Sequence, residues 1–286
     1  MRLCRFDDDR LGVVRGDQVH DVTNVLDALP ALRWPLPLGD QLIANLPQLR
    51  EKLEQAAGNA PRRSLSGVRL KSPVANPSKI MGAPVNYRDH LDEANKDPTL
   101  AHGRQMTDIS NYGLFLKANT ALVGPGEGVA LRFTDRRNDH EVELAAIIGR
   151  KVDKPLKREE ALSCLAGYSI GLDMTVRGPE FQSWRKSIDS YAVLGPWLVT
   201  AEEIVNPNNL DLELTVNGEP RQKSSTRYLV YDVEKLIVWA STMYTLHPGD
   251  IIMTGTPAGV GPVRPGDTMN VSVQGVGDMA VKIRAF

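Results

Sequence analysis

From residue 80 onward the sequence consists of many short apolar runs separated by turns rich in glycine and proline. Runs of this kind are typical of strands. We predict strands at 114–117, 141–148, 192–199, 212–216, 250–254 and 269–273. Helical periodicity is found chiefly at 86–96, 158–166 and 232–244. A strand-rich chain with few helices lacks the alternating units of a doubly wound sheet, so the expected fold class is α+β, β-dominated.

Residues 1–72 have a different pattern from the rest of the chain. Residues 1–23 alternate apolar runs with polar turns, which predicts two or three antiparallel strands, and residues 24–60 show helical spacing of leucines. Pro73 and Pro77 then interrupt the periodicity, as is typical of a domain boundary. We therefore predict a small α/β N-terminal domain at 1–72 and a β-dominated domain at 73–286.

Composition narrows the classes of function. The formal net charge of −1 gives no electrostatic basis for binding nucleic acid or an acidic membrane, and no apolar stretch approaches the roughly 18 residues of a membrane span. The first residues lack the apolar core of a signal peptide. Cys4 and Cys164 are far apart, which suits reduced thiols and argues against a thiolate zinc site. We expect a cytoplasmic protein without nucleic-acid or membrane partners, and the sequence has no phosphate-binding glycine motif for a nucleotide.

Two glutamates in an apolar strand, Glu141 and Glu143, are the residues most informative about chemistry. Residues i and i+2 of a strand point to the same side, so the two carboxylates converge on one face. Like charges among apolar neighbours need a proton or a counter-charge, and a hard divalent cation such as Mg²⁺ supplies one. Asp173 follows in a further apolar run. The alternative is a strand whose polar face meets water.

A histidine and a glutamate are also spaced to meet. His90 and Glu93 lie three positions apart in a predicted helix, which makes them neighbours on one face. A glutamate beside a histidine fixes the tautomer of the ring, as a general base requires. The alternative is a surface helix with alternating charges. The other histidines lack a partner pattern and are predicted to be structural: His20, His102, His140 and His247.

Two basic residues follow Asp173. Lys186 precedes an apolar strand, where its cation can offset the charge of an oxyanion, although surface lysines are far commoner. Arg177 can hold a substrate carboxylate through two hydrogen bonds, or it can form an ion pair with Glu180. We keep both alternatives open for each residue.

Two loops are candidates for ligand contacts. Residues 247–261 predict a turn, a buried strand and a glycine-rich loop, in which glycines allow close approach of the backbone and Thr254 and Thr256 offer hydroxyls. The plain alternative is two tight turns around a core strand. Residues 97–113 are polar and weakly periodic, and a loop of this length in a compact domain often forms a lid.

Taken together and in order, five motifs resemble the fumarylacetoacetate hydrolase family. They are NYRDH at 86–90, EVEL at 141–144, GYSIGLDMTVR at 167–177, KSID at 186–189 with LGPW at 194–197, and PGDIIMTGTPAGVG at 248–261. Their order and spacing match the family across about 75–286. The start of the chain also resembles the small N-terminal domain of the bacterial members.

The resemblance implies a distorted β-roll, a homodimer and a Mg²⁺ or Mn²⁺ ion held by Glu141, Glu143 and Asp173. Substrates typical of the family are small-molecule 2-oxo acids with a further carbonyl, such as acylpyruvates. The segment with His90 and Glu93 is expected to order over the substrate, with Lys186 near the reacting oxygens. The substrate-binding residues expected on the same basis are Tyr87, Arg177, Gly255 and Thr256, the last of which would meet the substrate carboxylate.

The leading functional hypothesis is a metal-dependent hydrolase that cleaves a C–C bond of a 2,4-dioxo acid, such as an acylpyruvate, fumarylpyruvate or a diketo-deoxy sugar acid. Isomerisation or decarboxylation of an aromatic-degradation intermediate, such as 2-hydroxyhepta-2,4-diene-1,7-dioate, or decarboxylation of oxaloacetate, needs the same metal-stabilised enolate and is an alternative. A catalytically silent metal-binding module is an alternative of another class.

The chain departs from the family pattern in two places. Many members have Arg-Asp-x-Gln after the aspartate motif, where this chain has Arg177-Gly-Pro-Glu180. The sequence therefore leaves open whether Glu180 or Gln182 takes the role of the glutamine. The entry to the lid segment, GAPVNY at 82–87, also differs, and loop 97–113 is expected to contact the distal group of the substrate.

Overall fold

Strands dominate the architecture. The computed structural model describes residues 1–101 and 105–286. The strands are β1 (Arg2–Phe6), β2 (Arg10–Arg15), β3 (Gln18–Asp21), β4 (Arg62–Ser64), β5 (Leu70–Lys71), β6 (Ile80–Gly82), β7 (Phe115–Lys117), β8 (Leu122–Val123), β9 (Val129–Leu131), β10 (Asn138–His140), β11 (Val142–Ile148), β12 (Leu165–Asp173), β13 (Thr175–Val176), β14 (Ala192–Thr200), β15 (Asp211–Val216), β16 (Glu219–Ser225), β17 (Ile251–Met253), β18 (Gly261–Pro262), β19 (Thr268–Val273) and β20 (Gly277–Ala285). The α-helices are α1 (Gln41–Asn59), α2 (Arg88–Lys96), α3 (Pro98–Ala101), α4 (Gln182–Lys186) and α5 (Val233–Met243). The β-dominated α+β class and each strand predicted after residue 80 are confirmed.

One predicted helix is too long and another is wrong. Of the segment 24–60, only Gln41–Asn59 forms an α-helix, and Thr23–Ala28 forms a 3₁₀ helix. Segment 158–166 forms two short 3₁₀ turns, Arg158–Glu160 and Leu162–Cys164, and β12 already begins at Leu165. The side chain of Glu160 accepts a hydrogen bond from the backbone N–H of Lys157 and closes the first turn. The apolar residues that follow pair as a strand on both sides, with β11 and β14. Tertiary pairing thus overrides the local helical pattern.

One large sheet holds the centre of the structure. Its strand order is β4-β3-β2-β1-β14-β12-β11-β17-β6-β7. Every residue of β11 is buried because the strand pairs antiparallel with both β12 and β17. A strand covered on both faces reads as a near-continuous apolar run, so polar residues at its start are conspicuous. The short strand β10 precedes β11 directly and pairs with β13 and β18 in a separate small sheet beside the site.

The N-terminal strands continue the large sheet. β1, β2 and β3 are antiparallel neighbours, as predicted, and β1 pairs with β14. Apolar residues of α1, such as Leu46 and Leu53, share one buried cluster with Ala145 and Ile147 of β11. The N-terminal segment therefore covers one face of the strand that carries the carboxylates. The domain boundary near residue 72 stays a prediction.

A second sheet contains a tight hairpin turn. This sheet has the order β16-β15-β19-β20-β9, and its β15–β16 hairpin turns at Asn217 and Gly218, both with positive φ, as this pair favours.

Within 97–113, the predicted loop contains α3 and a 3₁₀ turn at Ile109–Asn111. Its residues 102–104, with His102, lie outside the described residues. Among the helices of the described part, none has the length and apolar character needed to cross a membrane.

Candidate metal and catalytic site

Three buried carboxylates meet at the start of β11 and the end of β12. Glu141, Glu143 and Asp173 each offer an oxygen, and these oxygens lie within 4.8 Å of one another. The antiparallel register pairs Val142 with Leu172, and Asp173 N donates to the Glu141 carbonyl oxygen at 3.0 Å. The strand periodicity of β11 adds the side chain of Glu143 to the same face. The structure thus brings together the three residues singled out from the sequence.

The two glutamates differ in their electrostatic surroundings. Burial alone would raise the pKa of Glu141, but the cations of Lys186 and Arg177 outweigh burial and hold this pKa well below its usual range. The pKa of Glu143 is raised instead, first by burial and then by the charges of Asp173 and Glu141. Its Oε2 accepts one hydrogen bond, from Gly255 N at 2.6 Å. In the described part of the chain, Glu143 has no ion-pair partner.

Lys186 lies between two of the carboxylates. Its Nζ is 2.6 Å from Glu141 Oε2, 2.5 Å from Asp173 Oδ2 and 2.7 Å from Thr175 Oγ1. Asp173 and Glu141 raise the pKa of Lys186 despite the opposing effect of burial. The ammonium is therefore buried among two carboxylates and a hydroxyl that all lie within hydrogen-bond distance. This geometry matches an electrostatic role better than that of a surface lysine.

Lys117 is a second buried lysine in the site, and sequence analysis gave it no role. Its Nζ contacts Asp173 Oδ1 at 2.5 Å, and its side chain is fully buried. Burial lowers the pKa of Lys117, and the Asp173 charge opposes this effect. The only signal in the sequence is a lysine that ends the apolar run 114–117. That signal is weak without knowing that β7 lies in the same sheet as β11.

The glycine-rich loop after β17 supports the site through its backbone. Gly255 has a φ of +101°, and a Cβ at this position would lie 2.6 Å from the Cβ of Asn86, so only glycine fits. The Thr256 hydroxyl donates to the Val142 carbonyl oxygen at 2.9 Å and accepts from Gln222 Nε2 at 2.7 Å. Gln222, another residue missed from the sequence, also accepts from Val142 N at 3.1 Å. These bonds fix the loop against the start of β11.

His90 and Glu93 form the predicted pair on α2. His90 Nδ1 lies 2.9 Å from Glu93 Oε2, and Gly259 N donates to Glu93 Oε1 at 2.9 Å. Both carboxylate oxygens are therefore committed, which holds the imidazole in one orientation. The loop that donates Gly259 N to Glu93 also donates Gly255 N to Glu143, so one loop holds both the pair and the carboxylates. The surface-helix alternative does not describe this arrangement, since His90 is buried.

The entry to α2 is anchored and strained. The Asn86 side chain donates to the carbonyl oxygens of Tyr231 and Thr254, both at 2.8 Å. Val85 has a φ of +47°, which a β-branched residue adopts only when its surroundings enforce it. The adjacent Tyr87 is buried, and its pKa is raised by burial and then by the charge of Glu143. The entry sequence thus holds Tyr87 in a buried position at the start of α2.

Alternating charges connect α2 and α3 to the metal-binding face. Arg137 Nη1 contacts Asp97 Oδ2 at 3.1 Å, and its Nε lies 2.8 Å from Asp139 Oδ1. Arg177 then bridges Asp139 Oδ2, at 2.7 Å, and Glu141 Oε1, at 2.8 Å. Arg177 is therefore paired with these two carboxylates and not with Glu180, the alternative partner suggested by the sequence.

Glu180 points to a different partner. Its carboxylate forms a bidentate contact with Arg136, at 3.0 and 2.8 Å, on a partly exposed surface. Gln182 begins α4 and is half-buried. The position at which many family members carry a glutamine is thus directed away from the carboxylates in this chain.

The site fits a hard divalent cation. It offers three buried carboxylates, the ligand type that Mg²⁺ and Mn²⁺ prefer. Glu143 is held among like charges with a single N–H donor, and such an arrangement is stabilised by a cation. Glu141 and Asp173, which already contact the Lys186 ammonium, would also be ligands of such an ion. The donor set excludes a soft-metal thiolate site, because Cys4 and Cys164 lie elsewhere in the core.

Comparisons with known proteins agree with this geometry. The family described as fumarylacetoacetate (FAA) hydrolase C-terminal matches residues 79–284. The chain is 54% identical over 287 residues to "Maleylpyruvate hydrolase" of Aquipseudomonas alcaligenes, with 100% of each chain covered.

Solved structures agree as well. One is maleylpyruvate hydrolase from Sphingobium sp. SYK-6 in complex with manganese(II) ion and pyruvate, with a TM-score of 0.84, 40% identity and coverage of 100% of this chain and 99% of that one. Another is 5-carboxymethyl-2-hydroxymuconate delta-isomerase from Mycobacterium smegmatis, with a TM-score of 0.71, 29% identity and 100% of both chains covered. The chain therefore belongs to the fumarylacetoacetate hydrolase family.

Proposed function

We propose that this protein is a Mg²⁺- or Mn²⁺-dependent hydrolase that cleaves a C–C bond of a 2,4-dioxo acid of the maleylpyruvate class, giving pyruvate and a second acid. The observation that carries the proposal is the juxtaposition of a buried triad of carboxylates with an oriented histidine–glutamate pair. The similarity to maleylpyruvate hydrolases along the whole chain supports the choice of substrate class.

Glu141, Glu143 and Asp173 would hold the ion, which when bound polarises the 2-oxo group of the substrate. The triad is preorganised for this role because Arg177, Lys186 and Gly255 N fix its members in place. Preorganised ligands avoid the cost of ordering the site during the reaction.

The remaining steps belong to residues of the chain. Glu93 accepts a hydrogen bond from Nδ1–H of His90, which leaves Nε2 as the base that takes a proton from water. The resulting hydroxide attacks the carbonyl distant from the 2-oxo acid group, and the bond between that carbon and its CH₂ neighbour then breaks. The electron pair of this bond leaves with the pyruvate enolate, which takes up the proton held by His90 to give pyruvate. The Lys186 ammonium offsets the negative charge that develops on the substrate oxygens.

Substrate contacts are assigned on the same basis. Arg177 and Tyr87 border the carboxylates and would contact the 2-oxo acid end. Gly255 and Thr256 form the wall beside Glu143, and the Thr256 hydroxyl would need to exchange its bond with Val142 O to donate to a substrate carboxylate.

The test is pyruvate release from maleylpyruvate with added Mn²⁺ or Mg²⁺. Glu143→Gln and His90→Ala should each lose activity, whereas Glu159→Gln, a change at an exposed glutamate, should not. Turnover that is indifferent to Glu143→Gln would sink the proposal. So would a wild-type protein that releases no pyruvate.

Product analysis separates the alternatives within the family. Hydrolysis gives two acids, decarboxylation gives CO₂, and isomerisation or tautomerisation conserves mass. Isomerisation is the second candidate, since an isomerase has the same fold at 29% identity. Mn²⁺ binding without turnover of any such substrate would indicate a catalytically silent module.

We also propose a cytoplasmic homodimer. Phe181 and Trp184, beside α4, are exposed to 84% and 45%, and large exposed aromatics are typical of association surfaces. Light scattering coupled to size exclusion tests the dimer, and a monomeric mass at micromolar concentration would contradict it.

A further inference from the structure

Arg185 is held at the site but takes no part in the proposed reaction. It precedes Lys186 on α4, and its Nε donates to the Glu180 carbonyl oxygen at 2.8 Å. Its Nη1 is buried and meets no acceptor among the described residues. Buried donors of charged groups are nearly always satisfied, so this orphan nitrogen requires an explanation.

The charges around Arg185 show that this cation lacks a carboxylate partner in the described part of the chain. Burial lowers the pKa of Arg185, the charge of Arg177 lowers it further, and Glu141, Glu180 and Asp173 act in the opposite sense. Arg185 is also the direct neighbour in α4 of Lys186, whose Nζ contacts Glu141 and Asp173, so its backbone lies next to the carboxylate site. The other buried cations there each contact a carboxylate: Lys117, Arg177 and Lys186. Within residues 1–101 and 105–286, Arg185 has no such contact.

The contacts of Glu180 explain why this residue does not form an ion pair with Arg185. Its carboxylate is occupied by Arg136, so it does not neutralise Arg185, and only its backbone oxygen fixes the Nε edge. Nη1 is left without an acceptor, and Nη2 makes no hydrogen bond within the described residues. Two parallel N–H groups on these two nitrogens match the two oxygens of a carboxylate.

We propose that Arg185 is a specificity-determining residue that binds a second carboxylate of the substrate, at the end remote from the 2-oxo acid group. The proposal rests on the proposed function, because it concerns the distal end of the same 2,4-dioxo acid. A dicarboxylate substrate completes the hydrogen bonds of Arg185, whereas an acylpyruvate that ends in a methyl group leaves them unmade.

The test compares two substrates, maleylpyruvate, which has the second carboxylate, and acetylpyruvate, which lacks it. Arg185→Gln should lower kcat/KM for maleylpyruvate by about 10- to 150-fold, the loss expected for a charge-assisted hydrogen bond, mainly through KM. The same variant should change kcat/KM for acetylpyruvate by less than about twofold. Arg185→Lys keeps the charge but lacks the planar guanidinium group, so its kcat/KM for maleylpyruvate should lie between the values of wild type and Arg185→Gln.

The control is Arg132→Gln, a change at a partly exposed arginine that pairs with Asp189. This variant should leave kcat/KM unchanged for both substrates. Equal losses on both substrates with Arg185→Gln would indicate a structural role and overturn the proposal. An unchanged kcat/KM for maleylpyruvate would overturn it as well.

A binding readout separates this inference from the proposed function. Maleate, the distal product acid, should raise the Tm of the wild type but not of Arg185→Gln, whereas pyruvate should stabilise both. If the wild type releases no pyruvate yet maleate binding depends on Arg185, the proposed reaction fails and the carboxylate site stands. If pyruvate is released and maleate binds both variants equally, the inference fails and the reaction stands.

Discussion

Replacing Glu93 by glutamine tests the proposed base with the smallest change in shape. The Glu93 carboxylate accepts two hydrogen bonds, from Gly259 N at 2.9 Å and from His90 Nδ1 at 2.9 Å. Glutamine has one acceptor and one donor group. If its oxygen keeps Gly259 N, its NH₂ group faces His90 Nδ1 and selects the tautomer that has its proton on Nε2. That tautomer cannot take a proton from water.

The opposite orientation of the amide is no better. With its oxygen on His90, the NH₂ group faces Gly259 N–H, and two donors meet without an acceptor. A hydrogen bond to a charged group is worth roughly 1.5–3 kcal/mol, which corresponds to about 10- to 150-fold in rate. Loss of general-base catalysis is worth about 10²- to 10⁴-fold. We therefore expect Glu93→Gln to lower kcat by about 10²- to 10⁴-fold.

The assay is pyruvate release at saturating Mn²⁺, together with calorimetry of Mn²⁺ binding. Asp92→Asn is the matched control, because Asp92 is the exposed neighbour on the same helix, and it should retain wild-type kcat. Mn²⁺ affinity should stay within about twofold in both variants, since Glu93 lies outside the triad. A kcat within about twofold of wild type for Glu93→Gln would refute the base assignment. A parallel loss of Mn²⁺ affinity would show that the change acts through the metal site.

Three further predictions follow from buried groups. Glu143→Gln should abolish the stabilisation by Mn²⁺ that thermal scans measure, and it should not lower the Tm of the metal-free protein. The reason is that it removes a carboxyl whose pKa is raised by burial beside Asp173 and Glu141. An Mn²⁺-induced rise in Tm equal to that of wild type would contradict this prediction. Lys117→Met should lower the free energy of unfolding by about 3–5 kcal/mol in urea titrations, because it leaves Asp173 Oδ1 without its buried partner; a loss below about 1 kcal/mol would contradict it. Burial raises the pKa of the Cys4 thiol to about 12, so its contribution to stability is complete below about pH 8 and is lost as pH rises toward that value. Between about pH 8 and pH 10, the free energy of unfolding should therefore fall by about 2 kcal/mol more in wild type than in Cys4→Ala. An identical fall in the two proteins would contradict the raised pKa of the thiol.

Local periodicity was sufficient to predict part of the site. The i and i+2 spacing of a strand placed Glu141 and Glu143 on one face, and the i and i+3 spacing of a helix brought His90 to Glu93. Both rules concern neighbours within one element. They hold here because β11 and α2 form where the sequence predicts them.

Contacts between elements were not predictable in this way. Lys117 reaches Asp173 only because β7, β6, β17, β11 and β12 are successive neighbours in one sheet, an order that no local pattern specifies. The Arg177–Glu180 pair suggested by spacing is absent because β13 places Arg177 beside β10, where Arg177 N donates to the Arg137 carbonyl oxygen at 2.8 Å. Asp139, three residues from β11, then becomes its partner. Sheet topology, and not spacing, selects the ion pairs.

Glu141, just before β11, and Glu143, within it, have the same spacing as strand neighbours but very different electrostatic surroundings. In the part of the chain that the structure describes, Arg177 after β13 and Lys186 of α4 pair with Glu141, whereas Glu143 accepts a hydrogen bond only from Gly255 N. A neutral glutamine at 141 would leave two buried cations without part of their partner charge and would confuse loss of stability with loss of metal binding. At 143 the same change costs one backbone hydrogen bond at most. Glu143 is thus the position at which the dependence on a divalent ion can be measured without disturbing the rest of the charge network.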